Sequence, residues 1–144
     1  MILPIPKEYW DKVTQPFGVF NEQYESDTHN GVDFSCPIGT PIVAPCDGEI
    51  IHRYVNHPTL GKAIYFSCDD SPNYMRFLHL SEVVVQGKYK QGELIGKTGN
   101  TGMSEGAHLH LDVWNCPINT GLIKTKSGVF KYMIDPVVFF NNLV

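Results

Sequence analysis

The chain has 144 residues, 42% hydrophobic and 18% charged, with a formal net charge of −4. That length gives one domain, residues 1–144, with interior enough to bury a core without staples. An acidic balance with no Lys/Arg run excludes a nucleic-acid partner held through phosphates, and no apolar run is long enough for membrane insertion.

The opening "MILPIPKEYWDKV" has no basic region followed by a sustained apolar one, and Pro4 and Pro6 interrupt it. The expectation is a product synthesised in the cytoplasm without a signal peptide. "PKEYWDKV" has the makings of two helical turns. Strand-like runs follow at 41–46, 48–55, 62–68, 74–80, 93–98 and 108–114, rich in β-branched and aromatic residues. Turn clusters such as "NHPTLG", "DDSPN" and "GNTGMSEG" separate them. "DPVVFFNNL" closes the chain as a short helix, with Asp135 as N-cap and Pro136 in the first helical position. Many short strands and few helices predict a mainly β, antiparallel domain. Cys36, Cys46, Cys68 and Cys116 make no Cys-x-x-Cys pair, so they are read as reduced, mostly buried, small apolar residues.

Two groupings carry chemistry. In "THNGVDF", His29 and Asp33 flank Gly31, a residue that lets the backbone turn so that both side chains aim at one point. In "HLHLDVW", His108, His110 and Asp112 share one strand face while Leu109 and Leu111 point to the other. Alternate strand residues lie roughly 7 Å apart, close enough for both imidazoles to converge on one ion, or for one to bind it while the other meets a substrate. Three His/Asp ligands with an open fourth position are the pattern of a catalytic zinc site. Taken singly, each grouping also reads as a capped loop or a solvated strand edge. Asp112 reads equally as a partner orienting a histidine or as an edge carboxylate. Asn100 and Ser104 are read as turn residues, and His52 and His57 as ordinary surface or satisfied histidines.

The larger pattern resembles the lysostaphin/LytM-type zinc metallopeptidases, which cut peptide bonds in bacterial peptidoglycan. The resemblance runs in order through "TQPFG", "HNGVDFSCPIGTPIVAPCDGEI", "FLHLS", "QGELIGKTGNTGMSEGAHLHLDV" and "IDP". It implies Zn²⁺ held by His29, Asp33 and His110, with His79 and His108 as non-ligand catalytic histidines. Spacing alone does not separate His108 from His110. It also implies a central antiparallel sheet forming a groove, and a monomer acting on a stem peptide or cross-bridge of peptidoglycan. No His-Glu-x-x-His is present, so proton transfer falls to histidine, whose ordinary pKa lies near 6.5.

The chain departs from the family pattern in having Phe77-Leu78 where Tyr-Ala is common and Phe20 where an arginine is common. Tyr24 is a loose match to a tyrosine that stabilises the transition state in some members. A non-catalytic LytM-like module and a zinc hydrolase of free peptides are the competing functions. A wall-cutting enzyme without an export signal suits a phage or prophage lytic or virion-associated protein, and loops 19–28 and 115–131 are expected to select the bond.

Overall fold

The computed structural model describes residues 1–143. In chain order it places α1 (Lys7–Trp10), β1 (Val13–Gln15), β2 (Val32–Ser35), β3 (Pro41–Val43), β4 (Gly48–His57), β5 (Gly61–Cys68) and β6 (Tyr74–Leu80). After these come β7 (Glu82–Val83), β8 (Gly87–Tyr89), β9 (Leu94–Lys97), β10 (His108–Trp114), α2 (Lys126–Tyr132), β11 (Met133–Ile134) and α3 (Pro136–Leu143). All six expected strands are present, two of them with the expected boundaries at 74–80 and 108–114. The main sheet runs β1-β2-β10-β6-β5-β4-β8, with β11 added to β10, and β3-β9-β7 form a smaller sheet. Every pairing is antiparallel, as the sequence predicts.

Register separates the faces of the main sheet. Leu109 pairs with Phe34, Leu111 with Val32 and Phe77, and Val113 with Met75. On the next strand Phe77 and Met75 pair with Ile64 and Phe66. Directly paired residues share a face, and all of these are buried in one core. Each such side chain contributes about 1.5–3 kcal/mol on burial. The alternate positions make the other face: His110 opposite Asp33, Asp112 opposite Arg76, and Arg76 opposite Tyr65. A slip of one residue in β10 would carry its histidines into the core, so the apolar set Leu109–Leu111–Val113 fixes where they stand.

The two terminal helices close the core. Trp10 of α1 stacks on Phe34 with ring centroids 4.7 Å apart and meets Phe140 of α3 edge-on at 5.2 Å. Asp135 caps α3 as expected, accepting from Val137 N–H at 2.9 Å. The stretch 115–131, read as a groove loop, is instead partly helical: a 3-10 turn at Thr120–Ile123 leads into α2, capped by Thr125. Gly128 masks the helix in the sequence, yet a Cβ there would strike the Leu122 carbonyl at 1.9 Å. This segment packs Ile123, Val129 and Met133 against Trp114.

The cysteine reading needs correction. Cys46 and Cys68 are joined in a disulfide with Cα atoms 6.2 Å apart, while Cys36 and Cys116 are free. The cause is register: Gly48 pairs with Cys68, so the residue two before β4 meets the end of β5. Closing a loop across 22 residues of sequence is worth about 3 kcal/mol on the chain-entropy model. Reductant should therefore lower the urea midpoint of the wild-type protein and leave a Cys46→Ala/Cys68→Ala variant unmoved.

Candidate metal centre

The pairing of β2 with β10 brings Asp33 opposite His110, and His29, four residues earlier, enters from the loop before β2. One donor atom from each of His29, Asp33 and His110 lies within 4.8 Å of the others. Asp33 Oδ1 stands 3.3 Å from His29 Nε2, 2.9 Å from His110 Nδ1 and 3.9 Å from His108 Nε2. Among the described residues no lysine or arginine makes an ion pair with this carboxylate; its close partners are imidazoles. Two imidazole nitrogens and one carboxylate oxygen converging in this way fit a divalent ion of the zinc class.

His79 and His108 stand beside this cluster, their ring centroids 5.1 Å apart, and His79 lies 6.4 Å from His110. His29, His79 and His108 share a rule: one ring nitrogen meets a main-chain carbonyl, which fixes the tautomer and aims the other nitrogen elsewhere. In His110 both nitrogens meet carboxylates, Nδ1 at Asp33 and Nε2 at Asp112, each 2.9 Å away. His29 Nδ1–H donates to the Pro16 carbonyl at 3.0 Å, His79 Nδ1–H to Thr101 at 2.8 Å and His108 Nδ1–H to Gly106 at 2.7 Å. His110 Nε2–H donates to Asp112 Oδ2 at 2.9 Å. The Nε2 atoms of His29, His79 and His108 are thereby left for the cleft, while His110 Nδ1 faces Asp33 within the donor set. His79 reaches its place through a φ of 65°, in the left-handed region.

Asp112 is the residue whose part the sequence left open. Its side chain is 0% exposed. Arg76 donates to it through Nε at 2.9 Å and Nη2 at 2.8 Å, and Trp114 Nε1 donates at 2.7 Å. An edge carboxylate in water is therefore ruled out. The signal for this arrangement lay in the spacing of "HLHLD", but its partner Arg76 is visible only once β6 and β10 are paired. Burial opposes charge on Asp112, yet the Arg76 guanidinium and the His110 bond hold its pKa down to about 2. Burial likewise opposes charge on His110, but its bonds to Asp112 and Asp33 lift the ring to about 9 in the metal-free protein. Asp33 is held well below the carboxylate range, since the bonds from His110 and His29 outweigh burial. Burial pushes His79 down to about 4, so it is neutral at neutral pH.

His29, Asp33, His79, His108 and His110 line a cleft of about 930 Å³, together with Tyr24 and Met103. Tyr24 stacks on His29 at 4.8 Å, which places its phenol beside the donor set. Ser104 does more than shape its turn, because its Oγ lies 3.2 Å from His108 Nδ1. His57 serves its turn, accepting from the N–H groups of Thr59 and Leu60, and His52 packs edge-on against Tyr54. Gly31 matters for a reason other than backbone freedom. A Cβ there would sit 2.4 Å from the Leu111 carbonyl and 2.8 Å from His110 Nε2.

Comparison with known proteins identifies the lineage. The model of peptidase family M23 matches residues 27–124. The chain belongs to this family. An uncharacterized metalloprotease of Buchnera aphidicola is 32% identical over 125 residues, 83% of this chain and 32% of its own length. ShyA, a peptidoglycan DD-endopeptidase of Vibrio cholerae, is 42% identical over 88 residues, 59% of this chain and 20% of its own. The solved catalytic domain of lysostaphin, an antimicrobial peptidase from Staphylococcus simulans, aligns with a TM-score of 0.77 at 26% identity, covering 95% of this chain and 98% of that one. This M23 chain thus spans a fifth to a third of the length of these two curated relatives. M23 members are metallopeptidases, and the His29–Asp33–His110 cluster is a donor set such an enzyme can use.

Two measurements check this geometry. Gly31→Ala should cost about 1–3 kcal/mol by overpacking and weaken metal uptake by displacing His110. Because His110 carries a proton below about pH 9 in the metal-free protein, metal binding must release it. Affinity should then fall by about tenfold for each unit of pH lowered from 8 to 7, read by competition with a pH-insensitive chelator.

Proposed function

We propose that this chain is the catalytic part of a zinc endopeptidase that hydrolyses peptide cross-links of bacterial peptidoglycan. The observation that carries the reading is the convergence in one cleft of a His-Asp-His donor set with two further imidazoles that are not part of it. In this reading His29, Asp33 and His110 hold Zn²⁺, and His79 and His108 are the catalytic residues. Bound there, Zn²⁺ would bring the pKa of a water to about 7 and polarise the scissile carbonyl. The protein's own groups then move the proton. Neutral His79, its Nδ1–H committed to Thr101, offers the Nε2 lone pair to the cleft. His108 Nε2 stands on the far side of the same opening, 3.9 Å from Asp33. Between them the two rings take the proton from the attacking water, stabilise the developing oxyanion and deliver a proton to the departing amine. Tyr24, stacked on His29, is the neighbouring hydroxyl able to donate to that oxygen.

The named activity of ShyA on peptidoglycan supports the substrate class. The Cys46–Cys68 bridge suits a protein that works outside the reducing cytoplasm, at the wall. We read the unit as acting as a monomer. Release by phage lysis or carriage in a virion is the route we propose to the wall.

Purified peptidoglycan should be solubilised by the protein, lose that susceptibility on chelation and regain it with Zn²⁺. Mass spectrometry of the fragments should show new peptide termini. His79→Ala and His108→Ala should each lower turnover by about 10²–10⁴-fold with zinc stoichiometry intact, whereas His29→Ala, Asp33→Ala or His110→Ala should lose both. Loss of zinc from either of the first pair would reassign that residue.

A further inference from the structure

Three of the four cleft histidines are oriented by main-chain carbonyls, and only His110 is oriented by an ionised side chain. That difference is costly to build. A carboxylate with no exposure needs full compensation, and here it takes a two-nitrogen grip from Arg76, itself 4% exposed, and the Trp114 indole N–H. Arg76 is in turn sandwiched near the rings of Tyr65 and Trp114, its guanidinium carbon 5.8 and 5.6 Å from their centroids. A neutral acceptor would serve if the only need were to hold the ring. Because Arg76 neutralises Asp112, the pair adds no net charge to the cleft while still presenting an anionic oxygen to Nε2.

We infer that Asp112, clamped by Arg76, is a positioning residue that locks His110 in the Nε2–H tautomer and keeps Nδ1 as a strong donor toward the metal position. The inference rests on the metal reading above and adds a specific determinant of its affinity. The sheet supplies the geometry directly, because Asp112 lies opposite Arg76 and two residues along β10 from His110. Asp112→Asn tests it sharply. An amide side chain can donate to Nε2, which would favour the opposite tautomer and put a hydrogen where the metal should bind.

The experiment begins with the wild-type protein loaded with zinc. Its imidazole ¹⁵N shifts should show His110 protonated at Nε2 and metallated at Nδ1; protonation at Nδ1 would overturn the inference whatever the variants do. Zinc dissociation constants follow from chelator competition on folded apoproteins, with circular dichroism and urea titration reporting the fold. Asp112→Asn should bind zinc about 10–100-fold more weakly. The Arg76→Gln/Asp112→Asn double variant removes both buried charges together and should show the same weakening without a stranded guanidinium. Zinc affinity within twofold of wild type in either folded variant would leave Asp112 as only a structural partner of Arg76. Failure of the wild-type protein to bind zinc would instead overturn the metal reading beneath it.

Discussion

The charge buried beneath the cleft governs much of this structure. Moving a carboxylate out of water costs several kcal/mol unless each oxygen finds a donor. Asp112 finds them on β6, on its own strand and on the imidazole above it. Because those donors come from separate elements, the pairing of β6 with β10 has little freedom. The same register seats Asp33 against His110 on the opposite side of β10. The His110 ring therefore sits between two carboxylates, Asp112 inward and neutralised, Asp33 open to the cleft.

The fold solves a problem common to sites on sheets: polar groups must cluster on a face that still has a core behind it. Period-two alternation does this without special geometry, with Leu109, Leu111 and Val113 filling the interior while His110 and Asp112 between them stand on the other face. The loop 99–107 completes the arrangement from above. Its Thr101 and Gly106 carbonyls receive the N–H groups of His79 and His108, so one loop sets the direction of both rings. Histidines from two strands are thus tuned by a third element whose own sequence is mostly Gly, Thr and Ser.

Much of this was legible in the sequence, and the limits have physical causes. Long strands rich in apolar and aromatic residues, such as 74–80 and 108–114, announce themselves to the residue. The three-residue β1 and β8 and the two-residue β7 and β11 hold too few positions to show a period. The proposed donor set His29, Asp33 and His110 is legible only through the family resemblance, since spacing alone leaves His108 and His110 interchangeable. Arg76 is not legible, because nothing local distinguishes a buried arginine in "YMRFLHL" from an exposed one; only its partner 36 residues away does. The cystine was missed for the same reason, being a consequence of strand register rather than of cysteine spacing. Gly31 was singled out correctly but for the wrong cause, since crowding by Leu111 and His110 decides it.

The backbone of His79 shows where the protein has accepted a compromise. A φ of 65° costs an L-residue with a full side chain roughly 1–2 kcal/mol, and glycine almost nothing. On stability alone, glycine would be preferred at this position. The residue that carries this strain is instead a histidine whose Nδ1–H is spent on Thr101 and whose ring lies among the cleft imidazoles. Under the proposed function, drift toward sturdier variants at position 79 would be drift away from chemistry. On that reading, a lineage released from the need to cut wall should lose this histidine early, before the buried residues that hold the sheet.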